Sequence, residues 1–133
     1  MGIEVSFDAQ FQTMLTSYRA PVNYMRDVSF ALNYTMSLIE GPGPAPSYWI
    51  VDATELDDAT FGEMMVMLSE VARSGAMQAL SEYGIEMVFV GWAQYVRSGG
   101  EMFMHEMVGA QKVHIFPNLA DAMKYVARRI ILN

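Results

Sequence analysis

A chain of 133 residues fits one domain, spanning residues 1–133, and is long enough to bury a substantial core. Apolar residues make up 53% and charged residues only 17%, which excludes a disordered chain and favours one that buries much of itself. The net charge of −7 and the absence of cysteine argue against nucleic-acid binding and remove disulfides and thiolate chemistry.

The elements follow from periodicity. Ile3 to Phe7 and Met14 to Tyr18 alternate apolar and polar residues around a turn at Asp8 to Gln12, the pattern of an opening β-hairpin. From Asn23, as N-cap, to Glu40, the spacing of Val28, Ala31, Leu32, Met36 and Ile39 predicts a helix. The run Gly41-Pro42-Gly43-Pro44-Ala45-Pro46 ends it, because proline lacks the amide hydrogen a helix needs. Ser47 to Ala53 reads as a buried strand. A second helix starts near Asp58 or Thr60, with Phe61, Met64, Met65, Leu68 and Ala72 as its apolar stripe and Met67 nearer an edge, and it stops at Ser74-Gly75.

Ala76 to Tyr83 suits either a short helix or a loop. Ile85 to Trp92 is a further buried strand, and a helix is expected from Ala93 to Val108. Val113 to Phe116 is the last strand, with His114 between two apolar residues, so that one face of it is partly polar. Asn118 then caps a final helix carrying Ala122, Met123, Val126 and Ile130, with Lys124, Arg128 and Arg129 as favourable cations toward its end. The order ββαβαβαβα predicts an α/β fold with a mixed, mostly parallel sheet and crossover helices.

The candidate chemistry concentrates in the acidic step from strand to helix, where open α/β sheets often place working residues. Asp52, Glu55, Asp57 and Asp58 are hard-ion ligands by type, but they lack the glycine and the spacing of a calcium loop, so no metal site is expected. Thr60 and Glu63 form a Thr-x-x-Glu capping box. His105 and His114 are the only histidines, and the chain has no Gly-x-Ser-x-Gly elbow, so no catalytic constellation and no cofactor are expected. Thirteen methionines cluster at Met64, Met65 and Met67 and again at Met102, Met104 and Met107. With Phe103 and Val108, the second cluster is apolar around too much of a helix to face one core; core packing alone is the first reading of the methionines, a dimer or partner interface the second and an apolar ligand pocket the third.

The strand Trp49-Ile50-Val51-Asp52, the step Asp57 to Gly62 and the ending Val113-His114-Ile115-Phe116-Pro117-Asn118-Leu119-Ala120-Asp121-Ala122-Met123 together resemble a STAS domain. That family includes the bacterial anti-sigma factor antagonists. The opening hairpin and long first helix look closer to stand-alone STAS-like proteins, which are also compared with CRAL-TRIO lipid-exchange domains. In the antagonists a partner kinase phosphorylates a serine in an Asp-Ser-Ser-Gly type motif. Here the stretch reads Asp58-Ala59-Thr60-Phe61-Gly62, which makes Thr60 the phosphoacceptor candidate when aligned on the glycine.

The resemblance implies a non-catalytic regulatory or protein-interaction module, self-associating as a homodimer and meeting a regulatory protein partner. The partner surface is expected at Asp57, Asp58, Thr60, Phe61, Met64 and Met67, and the oligomer or apolar-ligand surface at Met102, Phe103, Met104 and Met107. The alternative is a carrier or sensor of a small apolar or lipid-like molecule, and a hydrolase using the acidic loop is more distant. With neither a secretion-type N-terminus nor an uncharged run of membrane-spanning length, a cytoplasmic location without stable membrane insertion is expected.

Overall fold

The computed structural model describes residues 2–43, 45–56, 58–91 and 113–132. β1 (Ile3–Asp8) and β2 (Thr13–Tyr18) pair antiparallel, with Ile3 opposite Tyr18 and Phe7 opposite Met14. Their turn is shaped by the Asp8 carboxylate, which accepts from the Gln10 N–H at 2.9 Å, an aspartate mimicking a backbone turn. β3 (Tyr48–Asp52), β4 (Glu86–Val90) and β5 (Val113–Phe116) continue the sheet parallel to β2, in the spatial order β1-β2-β3-β4-β5. The fold is therefore α/β with a mixed, mostly parallel sheet.

Side-chain alternation along these strands builds two cores. Trp49 and Val51 of β3 share a face with Met87 and Phe89 of β4 and with Met14 and Tyr18 of β2. Over them lie α1 (Arg26–Ile39), α2 (Phe61–Arg73) and α3 (Ala76–Tyr83), through Val28, Leu32, Leu68, Val71 and Leu80 among others. Tyr48 and Ile50 of β3 and Val88 and Val90 of β4 point to the other face, where α4 (Leu119–Leu132) covers them with Ala122 and Val126. Fully burying each such aliphatic side chain contributes about 1.5–3 kcal/mol. One polar bond crosses the larger core: the Trp49 indole Nε1–H donates to Thr16 Oγ1 at 3.0 Å, so both buried polar groups are satisfied.

One open reading is decided and two local expectations change. Ala76 to Tyr83 is helical, with Gly75 before it and Gly84 after it at positive φ of 78° and 68°, conformations that glycine adopts without a Cβ clash. The helix from Asn23 begins instead at Arg26, with Asn23 acting from outside it. The Asn23 Oδ1 accepts from the Arg26 N–H at 2.8 Å and the Met25 N–H at 3.2 Å. The apolar stripe of α2 is Met64, Met67, Leu68 and Val71, all buried, while Phe61 and Ala72 are exposed and Met65 is half-buried. The two stripes share Met64 and Leu68 but differ by a turn of the helix of roughly 70° about its axis. The two-core packing selects the face on which Met67 replaces Met65. The helix expected over Ala93–Val108, with Met102, Phe103, Met104 and Met107, lies outside the described residues, as do Trp92 and Asp57.

At the carboxyl edge of the sheet the backbone closes tightly. Ala53 N–H donates to Val90 O at 2.8 Å and Gly91 N–H to Phe116 O at 3.1 Å. Gly91 has φ 120°, and a Cβ there would stand 2.8 Å from the Ala53 carbonyl carbon, closer than real Cβ contacts come. Gly91→Ala is expected to lower stability by about 1–3 kcal/mol from backbone strain alone, whereas Gly43→Ala, with nothing within 4 Å of its added methyl, leaves it unchanged or slightly raised. Urea denaturation of the two variants side by side checks this.

Candidate functional site

α1 and α2 both begin where a strand ends, so their first turns stand together at the carboxyl edge of the sheet. β3 runs out through Asp52, whose Oδ1 accepts from Thr54 Oγ1 at 2.7 Å and from the Thr54 N–H at 3.1 Å. That bond turns the chain into a 3₁₀ turn at Thr54–Leu56, anchored by buried Leu56. Glu55 lies 3.6 Å from the Arg19 guanidinium, in an exposed pair worth little in water. Asp52 and Glu55 are thus occupied by the turn and by Arg19. Among the described residues no group of three or more His, Asp or Glu converges in a way that could hold a metal ion.

Thr60 makes the capping box complete. Its Oγ1 accepts from the Glu63 N–H at 3.1 Å, and its own N–H donates to Glu63 Oε1 at 2.9 Å. Two amide hydrogens that a helix start would leave unpaired are satisfied. Phe61 follows and is 60% exposed, although its side chain is one of the larger apolar ones in the chain. Met64 and Met67 do not join it, being 8% and 2% exposed. Burial in the core removes these two from the expected partner surface, because a side chain packed under the helix cannot reach a partner. Asp58, Thr60 and Phe61 remain at the surface.

Tyr24, just before α1, completes this patch from the other side, and the sequence pattern did not single it out. Burial, then the nearby Glu63 and Asp58 carboxylates, raise its phenol above the ordinary tyrosine range, which places Tyr24 beside the start of α2. Behind it, Asp27 is buried and takes the Asn23 N–H at 2.9 Å and the Arg26 Nε at 3.1 Å. The Asn23 bond, working against burial and helped by Arg26, holds the Asp27 carboxyl below the usual carboxylate range. The patch therefore combines one exposed aromatic ring, a half-buried tyrosine and a rim of carboxylates on a rigid two-helix support.

A second polar group lies under α4 at the opposite, amino edge of the sheet. The Tyr125 hydroxyl donates to Glu86 Oε2 at 3.2 Å and stands 3.0 Å from His114 Nε2. Arg129 reaches Glu86 Oε1 at 3.3 Å, its guanidinium carbon 5.9 Å from the centre of the Tyr125 ring. With the phenol proton given to Glu86, His114 is left to offer Nε2–H to the Tyr125 oxygen. Burial and then Glu86 raise the Tyr125 phenol above its ordinary value, so it stays protonated and serves as a donor. His114 is where the polar strand face was expected. The cluster joins three elements, His114 of β5, Glu86 of β4 and the pair Tyr125 and Arg129 one turn apart on α4, and no local spacing connects the three.

The chain matches no protein-family model, no curated protein and no solved structure.

Two outcomes follow from the geometry of the helix starts. Thr60→Ala is expected to cost about 1 kcal/mol through loss of the cap, read as a lower urea midpoint, and Thr60→Ser to retain most of it. The lowered folded pKa of Asp27 means that its contribution is present above the ordinary carboxylate range and is lost as pH falls through the folded value. Asp27→Asn is expected to be less stable than the parent by about 1–2 kcal/mol at neutral pH. The gap should narrow as pH is lowered from neutral to below the ordinary carboxylate range, as urea curves at a series of pH values would report.

Proposed function

We propose that this chain is a STAS-like domain that works without catalysis, as a cytoplasmic regulatory or protein-interaction module that also self-associates. The exposed Phe61 on the first turn of α2, rimmed by Asp58 and Glu63 and flanked by Tyr24, carries the reading. Aromatic rings are enriched in interface centres, and carboxylates suit the polar rim. Thr60 holds the surface in shape through its cap, and a phosphate on its exposed hydroxyl would add charge beside Glu63. The element order ββαβαβαβα of the family and the dimer surface at Met102, Phe103, Met104 and Met107 belong to this proposal on the strength of the sequence. Among the described residues no helix is long and apolar enough to cross a membrane, which is compatible with the cytoplasmic part of it.

One observation favours the carrier reading. A cleft of about 270 Å³ opens among Phe7, Leu38, Pro42 and Pro46, where the hairpin meets the Gly-Pro loop. It falls just short of the roughly 300–1,000 Å³ of typical ligand pockets, so the interaction reading leads.

A photo-crosslinking amino acid at position 61, introduced in cells, is expected to capture a discrete protein partner, and a second version carrying Tyr24→Ala to capture it several-fold less. No adduct from position 61, together with a small apolar molecule retained on the purified chain in native mass spectrometry, would overturn the proposal in favour of the carrier.

A further inference from the structure

The final helix carries more positive charge than its own needs explain. Only Arg129 lies in the last turn of α4, where a cation complements the helix dipole, and Arg129 is held by Glu86. Lys124 and Arg128 stand earlier in the helix, four residues apart and exposed, and among the described residues neither has a carboxylate partner. Asp121 is the acid nearest to them in the helix, but it is engaged at the helix start. Its Oδ2 accepts from Asn118 Nδ2 at 3.2 Å, and its N–H donates to Asn118 Oδ1 at 2.9 Å. Arg19, Arg26 and Arg73, by contrast, each sit against an acid of the chain: Arg19 with Glu4, Arg26 with Asp27, and Arg73 with Glu70.

Lys124 and Arg128 line one open cleft of about 370 Å³, with Phe116 and Tyr125 as aromatic walls and Asp121 at its rim. Two cations without an ion-pair partner among the described residues, beside aromatic surface on a chain whose net charge is −7, form the converse of the acidic patch around Phe61. Charge complementarity selects an anionic occupant. An open cleft leaves much of a small free ligand in water, whereas ligand pockets enclose most of their ligand. A side chain delivered by a longer segment does not need that enclosure.

We propose that the cleft between Lys124 and Arg128 receives an acidic side chain of a partner protein's peptide segment, with Phe116 and Tyr125 packing against its stem. This deepens the interaction-module reading and rests on it, while using a surface separate from Phe61. Arg128 supplies a planar fork for a carboxylate and Lys124 a mobile point charge, so the pair recognises charge first and geometry second.

The test uses the full chain and a fluorescein-labelled hexaglutamate peptide, followed by anisotropy. Saturable binding is expected, weakening as salt rises. Lys124→Ala with Arg128→Ala is expected to weaken it about tenfold or more. Arg19→Ala with Arg73→Ala, which removes the same charge elsewhere, is expected to leave it within about twofold. Circular dichroism melts establish that both double variants fold. Equal weakening by the two pairs would reduce the effect to net charge and overturn the proposal, as would absence of binding to the folded parent chain. Self-association lost in the Lys124/Arg128 variant would overturn it in favour of a second copy as occupant. Crosslinking from position 61 is independent of this cleft, so peptide binding without a position-61 partner, or the reverse, tells which of the two readings has failed.

Discussion

β3 and β4 present apolar side chains to both faces of the sheet, and a strand buried on both faces holds only if both faces are covered. Tyr48, Trp49, Ile50 and Val51 are all buried, as are Met87, Val88, Phe89 and Val90. On one side α1, α2 and α3 provide the cover; on the other, α4 does so over β3, β4 and β5. The opposed covers explain why the hydrophobic stripes of the helices fall where they do. Met67 and Val71 turn inward because the face of α2 that meets the sheet also has to meet α1 and α3.

The polar groups divide according to what they fasten. At the amino edge, Glu86, His114, Tyr125 and Arg129 clamp α4 to the ends of β4 and β5, so the cover of the second face is pinned by directional bonds as well as by Ala122 and Val126. At the carboxyl edge, Asn23, Asp27, Asp52, Thr60 and Glu63 are spent on starting helices and turning the chain. Their bonds leave Phe61, Asp58 and Tyr24 standing on a stiff base. A recognition surface profits from such a base, since contact groups that are already positioned lose less freedom on binding. The acidic rim at this edge and the basic cleft beside α4 give the molecule two faces of opposite sign despite its overall negative charge.

Much of this was legible along the chain. The hairpin, the two-sided strands, the stop at Gly41 to Pro46 and the capping box at Thr60 are written in neighbouring residues, because turns, caps and period-2 burial are local effects. Where the pattern was ambiguous, packing decided. Ala76 to Tyr83 has four apolar positions that suit a helix or a loop, and its burial against α1 and α2 makes it a helix. Phe61 and Met67 exchanged roles for the same reason: the apolar residues of α2 allow two overlapping stripes, and only the neighbouring helices choose between them.

What the sequence determined by itself was the class of the fold and the approximate positions of its described elements, since these depend on residue type and near-neighbour spacing. The tertiary structure alone decided which side chains meet across the sheet. Glu86 and Tyr125 are 39 residues apart and Asp58 stands near Tyr24 across an intervening helix and strand, contacts that no periodicity encodes. They also decided how the cations of α4 should be understood. Arg129 is drawn into the clamp and Lys124 and Arg128 are left facing a cleft, because the helix can turn only one of its faces to the sheet.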